Sequence, residues 1–92
     1  HLKGEENIIF KVRDSSMSGL GICKNDFVIA KRQNLADDGD IVAAVADGCI
    51  ICRKFFKEEG KYVLMPENEK YLPLRLNDVL ILGKVTAVFR NF

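Results

Sequence analysis

Apolar and polar positions alternate in short runs along this chain, and no segment sustains the 3.6-residue period of an amphipathic helix. Ile8-Ile9-Phe10-Lys11-Val12-Arg13 is rich in β-branched and aromatic residues and alternates at its end, as a half-buried strand does. Residues 14–25 carry serines, Asn25 and two glycines, Gly19 and Gly21, that break any helix; they read as a loop with one turn. Phe27 to Lys31 reads as a strand, Asn34 to Gly39 as a polar turn and Asp40 to Ala46 as the next strand. Asp47-Gly48 is the strongest hairpin signal, because a type I′ turn needs positive φ at both central residues. It leads into a strand from Cys49 to Phe56. A turn over Lys57-Glu58-Glu59-Gly60 returns into Lys61 to Met65, and Pro66-Glu67-Asn68 opens a loop that runs to Pro73. The last strand, Val79 to Phe89, is long and apolar, with Gly83 as a bulge or bend. The pattern predicts an all-β fold of twisted, partly closed antiparallel sheets.

The 92 residues suit one domain spanning 1–92, and the 48% apolar content suits a single core. No apolar run approaches the length of a membrane span, so no membrane contact is expected. The balance of 14 basic against 13 acidic residues, net +1, argues against a nucleic-acid-binding surface on this domain. Three cysteines cannot all pair within one chain, so Cys23, Cys49 and Cys52 are read as thiols of a reducing cytoplasm. Cys49-x-x-Cys52 is half of a zinc motif with no second pair. On a strand its two members point to opposite faces, so neither a metal nor another cofactor is expected.

Two short segments carry the candidate chemistry: Ser15-Ser16-Met17 in the loop and Arg53-Lys54 on the strand after the hairpin. A serine hydroxyl is a weak nucleophile and needs a base within hydrogen-bond reach. A lysine serves when burial in an apolar cleft lowers its pKa from about 10.4 towards ~7. An arginine does not, since its neutral fraction near pH 7 is about 10⁻⁵ or less. On an extended strand Ile51, Arg53 and Phe55 share one face, and Ile50, Cys52, Lys54 and Phe56 the other. Both faces are largely apolar, so the pattern leaves open which cation meets the serine. Taken alone, a loop serine more often caps a turn than attacks a carbonyl.

The blocks FKVRDSSMSGLGICKNDFVIAKRQ, DDGDIVAAVADGCIICRKFF, YVLMPENEKYLPL and VLILGKVTAVFR, in that order, resemble the C-terminal domain of LexA-like repressors. These are S24-type self-cleaving serine peptidases, to which the phage repressors and the UmuD mutagenesis protein are related. The resemblance runs from about Ile8 to Arg90. The family's Gly-Asp-Ser-Met block falls on Asp14-Ser15-Ser16-Met17, which makes Ser16 the nucleophile's counterpart. The block that holds the family's lysine base falls on Cys52-Arg53-Lys54-Phe55. Arg53 then occupies the lysine's position and Lys54 the one after it.

The resemblance implies a regulatory domain that forms homodimers, here through the apolar C-terminal strand Val85 to Phe92. It also implies a RecA-type co-protease as a partner. DNA would be bound only through an N-terminal helix-turn-helix, and that domain and the upstream cleavage segment are expected to lie outside this chain. Two functions compete: a Ser/Lys self-peptidase using Ser16 with Lys54, and a non-catalytic dimerisation or sensor module in which Arg53 has replaced the base. A signal-peptidase-like enzyme shares the Ser-Met block and strand lysine, but the Pro66-Glu67-Asn68 and C-terminal blocks fit it less well.

Overall fold

In a computed structural model, residues 6–90 are described; Phe92, the end of the C-terminal strand expected from sequence, lies outside them. Seven strands form one antiparallel sheet: β1 (Asn7–Lys11), β2 (Phe27–Arg32), β3 (Ile41–Ala46), β4 (Cys49–Glu58), β5 (Lys61–Met65), β6 (Leu74–Leu76) and β7 (Leu80–Phe89). Their order across the sheet is β1-β2-β7-β3-β4-β5-β6, which bears out the all-β antiparallel reading. A single 3-10 turn at Ser18–Leu20 interrupts the loop after β1.

The strands form where apolar residues alternate, and the turns form where the chain can adopt positive φ. Asp47 (φ 52°) and Gly48 (φ 76°) make the two-residue hairpin expected between β3 and β4. The second turn is tighter than the four residues expected. β4 runs on through Glu58, which pairs with Lys61, and the chain reverses on Glu59 (φ 48°) and Gly60 (φ 77°) alone. β6 was not expected; its three residues lie between Pro73 and Asn77 and give no periodic signal.

β7 carries two register shifts, one against β2 between Ile29 and Ala30 and one against β3 between Ala43 and Ala44. The second shift lies beside Gly83, so the expected bulge is present. A Cβ on Gly83 would come within 2.5 Å of the Lys31 carbonyl oxygen, a closeness only glycine permits.

The core divides into two clusters. Val12, Met17, Ile22, Val28 and Cys52 pack where the loop after β1 covers the sheet. Val42, Ala44, Phe55, Leu64 and Ile81 pack towards the β4–β5 end. β4 supplies both, Cys52 to the first and Phe55 to the second, and is therefore apolar on both faces.

The C-terminal strand, expected to carry the dimer contact, is only partly an edge. β7 sits inside the sheet between β2 and β3, but its pairing to β3 ends at Lys84 while its pairing to β2 continues to Phe89. Only one edge of Val85–Phe89 is therefore held by a described strand, and Val88 and Phe89 are exposed.

Candidate active site at Ser16 and Arg53

The loop that carries Ser16 is pinched at its neck. The Val12 N–H donates to the Asp26 carbonyl, and the Asn25 N–H donates back to the Val12 carbonyl, both at 2.8 Å. Inside the neck, Asp14 Oδ1 accepts the Ser16 N–H at 3.0 Å, an Asx turn that fixes the serine's backbone. Met17 is fully buried and anchors the loop in the first cluster.

A second loop, after β5, clamps the first. The Glu67 N–H donates to the Ser16 carbonyl at 2.7 Å, and the Gly19 N–H donates to the Glu67 carbonyl at 2.8 Å. Asn68 Nδ2 donates to the Ser15 carbonyl at 2.9 Å, and the Ser15 N–H donates to Tyr71 Oη at 3.2 Å. Ser15 thus faces the clamp through its backbone, while the Ser16 side chain is directed at the sheet.

Strand β4 delivers the cation. Arg53 Nη1 donates to Ser16 Oγ at 2.5 Å and to the Cys52 carbonyl at 2.8 Å, and Nη2 lies 3.5 Å from Asp14 Oδ2. Ser16 is 1% exposed and Arg53 is 7% exposed, so this contact is shielded from water. Arg53 Nε is buried with no hydrogen-bond partner, the sole such side-chain atom among the described residues. A buried donor left unmade costs about 1–3 kcal/mol, so the pocket accommodates a guanidinium imperfectly.

Two neighbours are tuned by this arrangement. Burial pushes the Asp14 carboxyl up, but hydrogen bonds from the Ser16 side chain and N–H, with the charge and hydrogen bond of Arg53, outweigh it and hold the carboxyl below its usual range. Burial pushes the Cys52 thiol up to about 12; the Arg53 charge opposes this without reversing it. Cys52 is accordingly a packing residue, while Cys49 at the start of the same strand is exposed.

Lys54 points elsewhere. Its Nζ lies 3.3 Å from Glu67 Oε2, so the two adjacent cations divide between the two loops, Arg53 to Ser16 and Lys54 to Glu67. Of the residues singled out from sequence, Ser16 and Arg53 are brought together and Lys54 is not the hydrogen-bond partner of Ser16 Oγ.

Several neighbours of Ser16 and its loop carry no signal in the sequence. Asp14 was visible only as part of the serine block. Asp26 and Arg90, 64 residues apart, form a bidentate pair at 2.7 and 2.8 Å that ties the end of β7 to the neck of the Ser16 loop. Asp26 also accepts the Cys23 N–H at 2.8 Å, and Arg90 donates to the Gly21 carbonyl at 2.9 Å. No one-dimensional signal links Asp26 to Arg90.

The fold and the site define an antiparallel all-β domain with a buried loop serine set against a strand cation. The chain belongs to the peptidase S24-like family, whose model matches residues 2–86. It is similar to curated LexA repressors. It is 42% identical over 89 residues to that of Lactiplantibacillus plantarum, covering 96% of this chain and 42% of the relative. To that of Caldicellulosiruptor saccharolyticus it is 43% identical over 87 residues, covering 95% and 43%. To that of Mycobacteroides abscessus it is 43% identical over 91 residues, covering 98% and 41%. The chain therefore spans about two fifths of the length of these relatives. No helix among the described residues is long and apolar enough to cross a membrane.

Proposed function

We propose that this chain is the C-terminal regulatory domain of a LexA-like repressor, retained for self-association and impaired as a self-peptidase. The observation that carries this reading is the 2.5 Å bond from Arg53 Nη1 to Ser16 Oγ. In that bond the guanidinium is the donor and the hydroxyl oxygen the acceptor. A serine attacking a carbonyl must hand its proton to something, and a guanidinium keeps its own protons near neutral pH. It can stabilise an alkoxide but cannot generate one. The remaining acceptor at the site is Asp14, whose lowered pKa makes it a weaker base than an ordinary carboxylate. Lys54 would have to leave Glu67 and cross to the other side of its strand to take the role.

Self-association fits the edge of Val85–Phe89 that no described strand covers, where exposed Val88 and Phe89 invite a second strand. DNA recognition belongs in this reading to a segment outside this chain. A RecA-type co-protease would find little reaction to stimulate.

The test uses the full-length protein that carries this domain. It is incubated across neutral to alkaline pH, with and without activated RecA, and scored for self-cleavage by mass spectrometry. The expected result is no cleavage that depends on Ser16, together with a dimer in sedimentation. Cleavage abolished by Ser16→Ala and Lys54→Ala, but not by Arg53→Ala, would overturn the reading in favour of a Ser/Lys self-peptidase.

A further inference from the structure

We infer that Asp14 is a positioning residue that forms, with Arg53, a two-residue charge lock on Ser16, and that its carboxylate would keep a lysine placed at position 53 protonated. This rests on the reading that Ser16 stands at the nucleophile's place.

Asp14 touches both other members of the site. One carboxylate oxygen, Oδ1, accepts the Ser16 N–H at 3.0 Å, and the other, Oδ2, lies 3.5 Å from Arg53 Nη2. The Asp14 side chain is 35% exposed and that of Arg53 9%, so the pair is partly withdrawn from solvent and screened less than a surface pair. The carboxylate thus holds the cation against the hydroxyl and fixes the serine's backbone at once.

The consequence is electrostatic. A lysine is one bond shorter than an arginine, so the amine introduced by Arg53→Lys would sit about where the guanidinium carbon is now. That carbon is one C–N bond, ~1.3 Å, from Nη2. The amine would then lie within ~5 Å of Asp14 Oδ2, from the 3.5 Å contact plus that bond. An opposite charge at such a distance raises an amine's pKa by about 1–3 units. This works against the depression that a catalytic lysine needs.

The other titratable groups facing position 53 do not offset it. Cys52 is a neutral buried thiol at ordinary pH, with its pKa raised to about 12. Lys54 on the same strand is engaged by Glu67 of the second loop. Val42, the residue paired with position 53 on β3, is apolar.

The test compares Arg53→Lys with Asp14→Asn/Arg53→Lys. Asparagine keeps an acceptor for the Ser16 N–H and removes the charge; Asp14→Ala/Arg53→Lys guards against a folding failure of that pair. The introduced amine is assigned by ¹⁵N NMR as the lysine signal missing from the unsubstituted protein, and titrated. The expected result is a pKa about 1–3 units lower in the double variant, a 10- to 1000-fold larger neutral fraction at a fixed pH below both values. In the full-length protein, Ser16-dependent cleavage should rise about 10-fold or more over Arg53→Lys alone, with its pH profile displaced to lower pH. Equal amine pKa values in single and double variants overturn the lock, as does free cleavage by Arg53→Lys alone at neutral pH. Ser16-dependent cleavage by the unsubstituted protein defeats the functional reading instead, and the amine comparison still decides the role of Asp14.

Discussion

Gly19→Ala probes whether the clamp between the two loops holds the site together. Gly19 lies in the 3-10 turn three residues after Ser16, and its φ is outside the left-handed region. In an unconstrained place this substitution would stabilise the protein by about 0.4–1 kcal/mol, by reducing the entropy of the unfolded chain. Here a Cβ would stand 2.4 Å from the Glu67 carbonyl oxygen and 3.3 Å from its carbon. Real contacts stay at or above 3.0 Å, so the loops must part by at least 3.0 − 2.4 = 0.6 Å. Both sides are backbone and neither can rotate away. Parting them stretches the 2.8 Å bond from the Gly19 N–H to the Glu67 carbonyl beyond useful length and strains the 2.7 Å bond from the Glu67 N–H to Ser16. Overpacking costs about 1–3 kcal/mol and the lost hydrogen bond about 1 more. Set against the entropy gain, the net loss is about 1–3 kcal/mol, with a fall in Tm of about 5–20 °C for a domain of this size. Urea denaturation of the variant and the unsubstituted chain measures it, provided the m-value is unchanged. The sign is decisive: a variant as stable as the unsubstituted chain, or more so, would refute the clamp.

Three further outcomes are expected. The Asp26 carboxyl is drawn down to about 2, first by the hydrogen bonds of Arg90 and then by the Cys23 N–H. A depressed carboxylate contributes stability above its unfolded value, near 3.8, and loses it as pH falls towards 2. Arg90→Ala should therefore be less stable than the unsubstituted chain at pH 6, with the gap closing below pH 4; a constant gap down to pH 2 would contradict the pairing. A thiol reagent at pH 8 should modify Cys23 and Cys49 quickly and Cys52 only after unfolding, since Cys52 is buried and its pKa lies near 12; rapid reaction at all three would show the first cluster to be open. Lys54→Ala should cost less than about 1 kcal/mol, because its pair with Glu67 is partly exposed. Arg53→Ala should cost about 2–4 kcal/mol, because it strips Asp14 and buried Ser16 of their shared cation; the reverse order in denaturation would mean the two cations had been exchanged.

The strands were legible because β-branched and aromatic residues alternate with polar ones, and the first hairpin because Asp47-Gly48 is one of few pairs suited to two positive φ angles. β6 was not legible: three residues after a proline carry no period. The length of the second turn was misjudged for a related reason. Lys57 and Glu58 look like turn residues by polarity, yet they continue the ladder opposite Tyr62 and Lys61 on the solvated end of β4. At the site, Ser16 and the cation pair could be found from the ordered blocks. Asp14 and Arg90 could not be, because charge sign carries no distance, and their partners lie 39 and 64 positions away.

Which of two adjacent cations meets Ser16 is decided far from the site, by the hairpin and the core. The two-residue turn pairs Ala46 with Cys49, and the β3–β4 ladder then runs without a register shift, setting Val42 opposite Arg53 and Ile41 opposite Lys54. A one-residue slip of β4 would bring Lys54 to the serine's side, but it would also turn Phe55 out of the second cluster and Cys52 out of the first. Removing a buried phenylalanine from its contacts costs about 3–5 kcal/mol, before the turn itself is rebuilt. That is a large fraction of the 5–15 kcal/mol by which a domain is stable. The arginine is therefore held on Ser16 by the phase of the whole strand. Fluctuation of β4 is a poor route to exchanging it for its neighbour, and chemistry at Ser16 is more readily changed by substitution at positions 53 and 14.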